Sequence, residues 1–156
     1  MSRDRDIHHL HKLAAEAWLR LEAGAYEHLG IELRCIETHR LVKLQDSDYA
    51  KGRDAEGNII DKNLVVTSKR GGDSTHNLTR VSDGQPMSAA FHAAIVLPRG
   101  RLLGLPKLGP AGVLVYKAVA ELARQQGLRC GAKWKDYMHF ELRGNDLKKA
   151  KADAAA

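Results

Sequence analysis

The apolar residues of this chain fall at two different spacings, and the switches between them constrain its fold more than any other feature. Leu10, Leu13, Ala14, Ala17, Trp18, Leu21 and Ala25 recur at helical intervals, so residues 7–29 read as an amphipathic helix that Gly30 stops. Residues 31–38 change period: Ile31, Leu33 and Cys35 alternate with charged neighbours, as a half-buried strand requires. Residues 41–51 suit a short helix ending at Gly52, and the polar stretch 53–63 suits an exposed loop or small hairpin. The β-branched run 64–69 predicts a second strand, and turn formers dominate 71–88. Residues 89–98, AAFHAAIVLP, read as an apolar strand broken by one histidine, with a turn at Arg99 and Gly100. Pro110 can open a helix whose face is Val115, Ala118, Val119, Leu122 and Ala123, and Gly127 closes it. A last strand is expected near 138–142. The order α-β-α-β-β-α-β predicts an α+β fold, with helices packed on a small antiparallel sheet.

At 156 residues the chain can bury a core without disulfides. Cys35 and Cys130 sit beside apolar residues and read as buried thiols, not a disulfide framework. No apolar run approaches the ~20 residues of a membrane span. The opening MSRDRDIHHLHK lacks the apolar core of a signal peptide, so a cytoplasmic location is expected; a monomer is expected as well. Lys and Arg number 25 against 19 Asp and Glu, a net charge of +6 that suits an anionic partner. No basic run is interleaved with aromatics as base stacking requires, so nucleic acid is not the expected partner. One domain over 1–147 is expected, followed by a disordered basic, Ala-rich tail over 148–156.

The eight histidines are the most informative residues. His8, His9 and His11 cluster at a helix start; such a cluster can hold a metal, but a solvated helix start is the favoured reading. His28 lies near the helix end, where a cation suits the dipole. His39 ends a strand beside Arg40 and fits either a structural or a functional role. His76 sits in a Gly/Ser loop, His92 interrupts an apolar strand, and His139 lies just inside the last one. A lone histidine on an apolar strand is usually a satisfied core residue. Three from separate strands or strand-edge loops can converge on one metal, and three protein ligands with one open position is the pattern of catalytic zinc. Asp136, three residues before His139, could take a proton from water activated there.

At these residues the chain resembles the zinc peptidases of the D-alanyl-D-alanine carboxypeptidase and L-alanoyl-D-glutamate endopeptidase group, which includes phage endolysins and shares its fold with the Hedgehog signalling domain. ETHRLVKLQDSDYAKGR (37–53) is similar to the group's Arg, Gln, Tyr-Ala-x-Gly-Arg stretch. VVTSKRGGDSTHN (65–77) is similar to its strand and Gly-x-Ser-x-His-Asn segment. MSAAFHAAIVLPRGRL (87–102) is similar to its second ligand strand, and WKDYMHFEL (134–142) to its closing Asp-x-x-His-Phe-Glu. The resemblance implies that His76 and His139 ligate Zn2+ and that Asp136 is the general base. It implies that Arg40 binds a substrate carboxylate or the oxyanion, that Ser74 helps bind the peptide, and that Gln45 supports the Arg40 region of the substrate site.

One departure matters. The group's second ligand is usually an aspartate, which a count from Ser74 puts at Asp83; but Thr79 and Val81 replace the expected glycine and alanine. MSAAFH fits a version with a longer loop and places His92 where the aspartate belongs, so His92 is the favoured ligand. The resemblance thus implies a zinc peptidase acting on bacterial peptidoglycan stem peptides, in the setting of a phage endolysin. The alternative is a catalytically weak or inactive zinc- or cell-wall-binding module on the same fold.

Overall fold

The computed structural model of the chain describes residues 3–104, 108–132 and 136–156. A 3-10 turn (Ile7–His9) leads into α1 (Lys12–Leu29), β1 (Leu33–Glu37) and α2 (Val42–Ala50). A second 3-10 turn (Thr75–Asn77) precedes β2 (Ala90–Val96), β3 (Leu102–Leu103) and α3 (Pro110–Gln125). The chain continues through β4 (Leu128–Gly131), β5 (Asp136–Leu142) and α4 (Gly144–Ala155). The strands form one antiparallel sheet in the order β1-β2-β5-β4, with β3 paired to β2. This is the α+β architecture the spacings predict. Among the described residues no helix is long and apolar enough to cross a membrane.

The ends of α1 follow local rules. The Nδ1 of His11 accepts the Leu13 N–H at 3.2 Å, so this histidine caps the helix. Gly30 ends it at φ 63°, a left-handed conformation that glycine adopts without a Cβ penalty. Alternation along the strands gives the sheet two faces. Phe91, Ala93, Ile95, Phe140 and Leu142 are buried with Trp18 and Leu21 of α1 and Tyr116 and Val119 of α3. Trp18 meets Phe91 edge-on at 5.4 Å, and Phe91 stacks on Phe140 at 5.6 Å. The buried Tyr116 hydroxyl donates to the Leu103 carbonyl at 2.6 Å and accepts from the Ile95 N–H at 3.2 Å, tying α3 to the sheet.

Three expectations are corrected. Residues 64–69 form no strand: Leu64 and Val66 are exposed, and the Thr67 hydroxyl and Lys69 carbonyl bond Gln45 instead of a ladder. β-branched composition favours a strand only where a neighbour is there to pair. β4 was not expected, because four residues are too few to show a period; its pairing with β5 creates it. The supposed disordered tail over 148–156 is instead largely the C-terminal part of α4. Its Ala150 and Ala154 are buried, small enough to bring the helix close. The Ala154 carbonyl accepts the Val81 N–H at 2.8 Å, and Asp153 bonds His11 Nε2 at 2.9 Å. A face made of alanines carries little hydrophobic signal, which is why composition alone suggested a tail. Trp134, which opens the segment read over 134–142, lies outside the described residues.

Candidate metal centre

The sheet register assembles most of the site. His92 of β2 pairs across to His139 of β5 on one side and to Glu37 of β1 on the other. All three lie on the face opposite Phe91 and Phe140. A bulge between Cys35 and Glu37 puts Glu37, rather than Ile36, opposite His92. His76 comes from the 3-10 turn, capped by Ser74, whose Oγ accepts the His76 N–H at 3.3 Å. Asn77 Nδ2 donates to the Arg40 carbonyl at 2.6 Å, and the Arg40 N–H donates to the His76 carbonyl at 2.9 Å, so turn and β1 exit hold each other.

One ligand atom from each of His76, His92 and His139 lies within 4.8 Å of the others. The His76 and His92 rings stack in parallel at 4.8 Å, and His139 stands edge-on to both at 5.2 and 5.1 Å. His76 is fully buried, and its Nδ1–H donates to the Thr38 carbonyl at 2.6 Å. That bond leaves the Nε2 lone pair facing inward, 3.3 Å from His139 Nδ1. Burial, with the neighbouring His92 and His139, keeps the His76 pKa well below the usual imidazole range, so it stays neutral as a ligand must. The Nε2 of His139 lies 3.5 Å from Glu141 Oε2. Imidazoles held from behind by a carbonyl or carboxylate are the usual design of a metal ligand. A nitrogen-rich donor set with carboxylates close by fits a borderline-soft divalent ion such as zinc.

His92 sits between two carboxylates. Its Nε2 is 3.2 Å from Asp136 Oδ2; its Nδ1 is 3.1 Å from Glu37 Oε2, though off the line of a hydrogen bond. Burial would lower its pKa, but Asp136 and Glu37 outweigh burial and raise it. Burial would likewise raise Asp136, but His92 and His139 hold its carboxyl below the usual range, ionised. Glu37 is anchored by Arg40, whose Nε donates to Oε1 at 2.8 Å and whose Nη2 donates to Oε2 at 2.5 Å. Arg3 reaches the same Oε1 at 2.6 Å and Asp48 at 2.8 Å. On the other flank, burial would raise Glu141, but His139, Thr75 and Arg129 hold it at about 2.

These groups open on a cavity of about 990 Å³. Of the residues singled out in the sequence, His76, His92, His139, Asp136, Ser74 and Arg40 line it. Gln45 lies behind Arg40, fully buried, accepting from its Nη1 at 2.9 Å. Asp83 is elsewhere, in an exposed turn where it pairs with Arg80 and accepts the Gln85 N–H at 3.1 Å. Four flanking residues were not foreseen: Glu37, Glu141, Arg3 and Arg129. The His139-x-Glu141 alternation was the available signal for Glu141. Glu37 had none, because the bulge moves it to the opposite face from the one its spacing implies.

No family model matches the sequence. The chain is 31% identical over 142 residues to the peptidoglycan L-alanyl-D-glutamate endopeptidase CwlK of Bacillus subtilis strain 168, covering 88% of this chain and 74% of that protein. Among solved structures it is similar to the LD-carboxypeptidase LdcB, with a TM-score of 0.55 and 18% identity. That likeness covers 93% of this chain and 63% of the carboxypeptidase chain, so this chain spans less than two thirds of that structure's length. At such identity it speaks for the fold.

Proposed function

This chain belongs to the family of the peptidoglycan L-alanyl-D-glutamate endopeptidase CwlK, and from that premise we propose that it is a zinc peptidase hydrolysing amide bonds in peptidoglycan stem peptides. The observation that carries the reading is the convergence of His76, His92 and His139 beside the ionised Asp136 at the wall of one cavity. Those three histidines would hold the ion. When bound, zinc supplies Lewis acidity and brings the pKa of a water toward ~7. Asp136 stands ready as general base, accepting a proton from the attacking water and returning it to the leaving amine. Ser74 and the cavity wall would contact the peptide. Arg40 has its fork on Glu37 and Gln45, so direct contact with a substrate carboxylate would require Glu37 to yield one bond. The net charge of +6 suits approach to an anionic envelope, and a phage lysin is the setting we propose.

A second reading, a cell-wall-binding module without turnover, draws on one feature: both nitrogens of His92 face carboxylates. Elemental analysis of untagged protein, with incubation of the same sample on purified peptidoglycan, separates the two. About one zinc per chain with new amino termini released is the expected result. Zinc without cleavage would favour the binding module, and no zinc after reconstitution would overturn the zinc peptidase reading.

A further inference from the structure

We propose that Arg129 and Lys151 form a subsite for a carboxylate that the substrate peptide carries beside the bond cut; this rests on the peptidase reading above. Among the described residues three arginines line the cavity: Arg3, Arg40 and Arg129. Two of them are committed. Arg40 is buried with its fork on Glu37 and Gln45, and Arg3 spans Glu37 and Asp48. Arg129 differs. Its side chain is 55% exposed, and its Nε and Nη2 both donate to one oxygen, Glu141 Oε1, with the Nε bond at 2.6 Å. A guanidinium presents a planar fork of donors, so it can hold a buried carboxylate on one edge and receive a second from solvent.

The sheet brings Arg129 to the site. Arg129 of β4 pairs across to Glu141 of β5, and Glu141 shares a face with His139, two residues earlier. Glu141 Oε2 lies 3.5 Å from His139 Nε2 while Oε1 takes Arg129, so one carboxylate separates the guanidinium from a metal-ligand candidate. A peptide advances at most ~3.6 Å per residue, so a carboxylate side chain next to the reacting amide spans a comparable gap. The second cation comes from α4. Leu147 and Lys151, one turn apart, both line the cavity, on a helix fixed by the buried Ala150 and Ala154. Lys149 pairs with Asp153, but Lys151 is exposed and has no ion-pair partner among the described residues. Glu141 balances one of the two cations, and an acidic substrate balances the other. Leu147 and Met138 give the cavity apolar surface for the methylenes between a carboxylate and its backbone.

The test compares two peptides on the zinc-loaded full chain. One holds an L-alanyl-D-glutamate bond with the glutamate's spare carboxylate free; in the other that group is a carboxamide. Wild type should cleave the free acid ~10–100-fold more efficiently in kcat/KM, the worth of a charge-assisted hydrogen bond. Arg129→Gln should bring that preference below ~3-fold, and Arg129→Lys should keep part of it. Lys151→Gln, which leaves the Arg129–Glu141 pair in place, should lower it ~2–5-fold. The preference is a ratio within one protein, so a general loss of folding or of zinc does not imitate the result. A wild-type preference below ~3-fold, or one unchanged in Arg129→Gln and Lys151→Gln, would overturn the proposal. If wild type with zinc bound cleaved neither peptide, the peptidase reading would fall first. Calorimetric binding of the same two peptides would then decide the subsite. Tighter binding of the free acid, lost in Arg129→Gln, would support it, and equal affinities would overturn it.

Discussion

On one face of β2 and β5 Phe91 stacks on Phe140; one residue along each strand, on the other face, His92 pairs with His139. The two pairs share a ladder and differ in what holds them. The aromatic pair is stabilised by non-directional burial against α1 and α3. The histidine pair is held by polar contacts to Asp136, Glu37 and Glu141, each made to a particular atom. The lesson is that the apolar face can carry most of the stability, so the polar face is free to be arranged for chemistry at some cost in buried charge.

That division makes separable predictions. Asp136→Ala should reduce amide hydrolysis ~10²–10⁴-fold, the usual worth of a general base, while zinc stays bound. Wild-type turnover by this variant would remove Asp136 from the mechanism. Phe140→Ala strikes the other face and should cost about 3–5 kcal/mol in denaturant unfolding. A loss under ~1 kcal/mol there would mean that the aromatic stack is not the main support of the sheet.

A smaller effect is expected at Asp48, which lies under the polar face. Burial would raise its pKa, but hydrogen bonds from Lys51 at 2.6 Å and Arg3 at 2.8 Å overcome that and hold it below its ordinary 3.8. Its folded pKa is thus depressed, so its stabilisation is fully present above pH ~3.8 and is lost as pH falls through the lower folded value. Asp48→Asn should cost about 1.5–3 kcal/mol at neutral pH and flatten the acid limb of stability against pH. An acid limb as steep as that of wild type would point to other carboxylates. The smallest effect belongs to Asp83, outside both faces. Asp83→Asn should leave the unfolding midpoint unchanged, as for an exposed ion pair, and leave zinc affinity unchanged. A loss of zinc would move the second ligand to that turn.

Much of this was readable in the chain. The helical spacing of Leu10 to Ala25 gave α1, and the histidine inside AAFHAAIVLP marked β2 as two-faced. The three histidines stood out by their places in or beside apolar strands, and Asp136 by its spacing from His139 and by the resemblance; the structure brings the four to one cavity. What was not legible depended on pairing or on small side chains. β4 exists through its partner, Glu37 reaches the site through a bulge, and α4 is held by alanines and by Asp153 bonding His11. Arg3 bonds carboxylates 34 and 45 residues away, a link no local pattern contains.

The cross-strand row Glu37, His92, His139 has a consequence for how such a chain can change over time. Inserting or deleting one residue within β2 would exchange its faces, turning Phe91 toward the cavity and His92 into the core. Length variation should therefore be tolerated in the exposed turn 54–58 and rejected within β2 and β5. The same register that builds the core also acts as a reading frame for the chemistry.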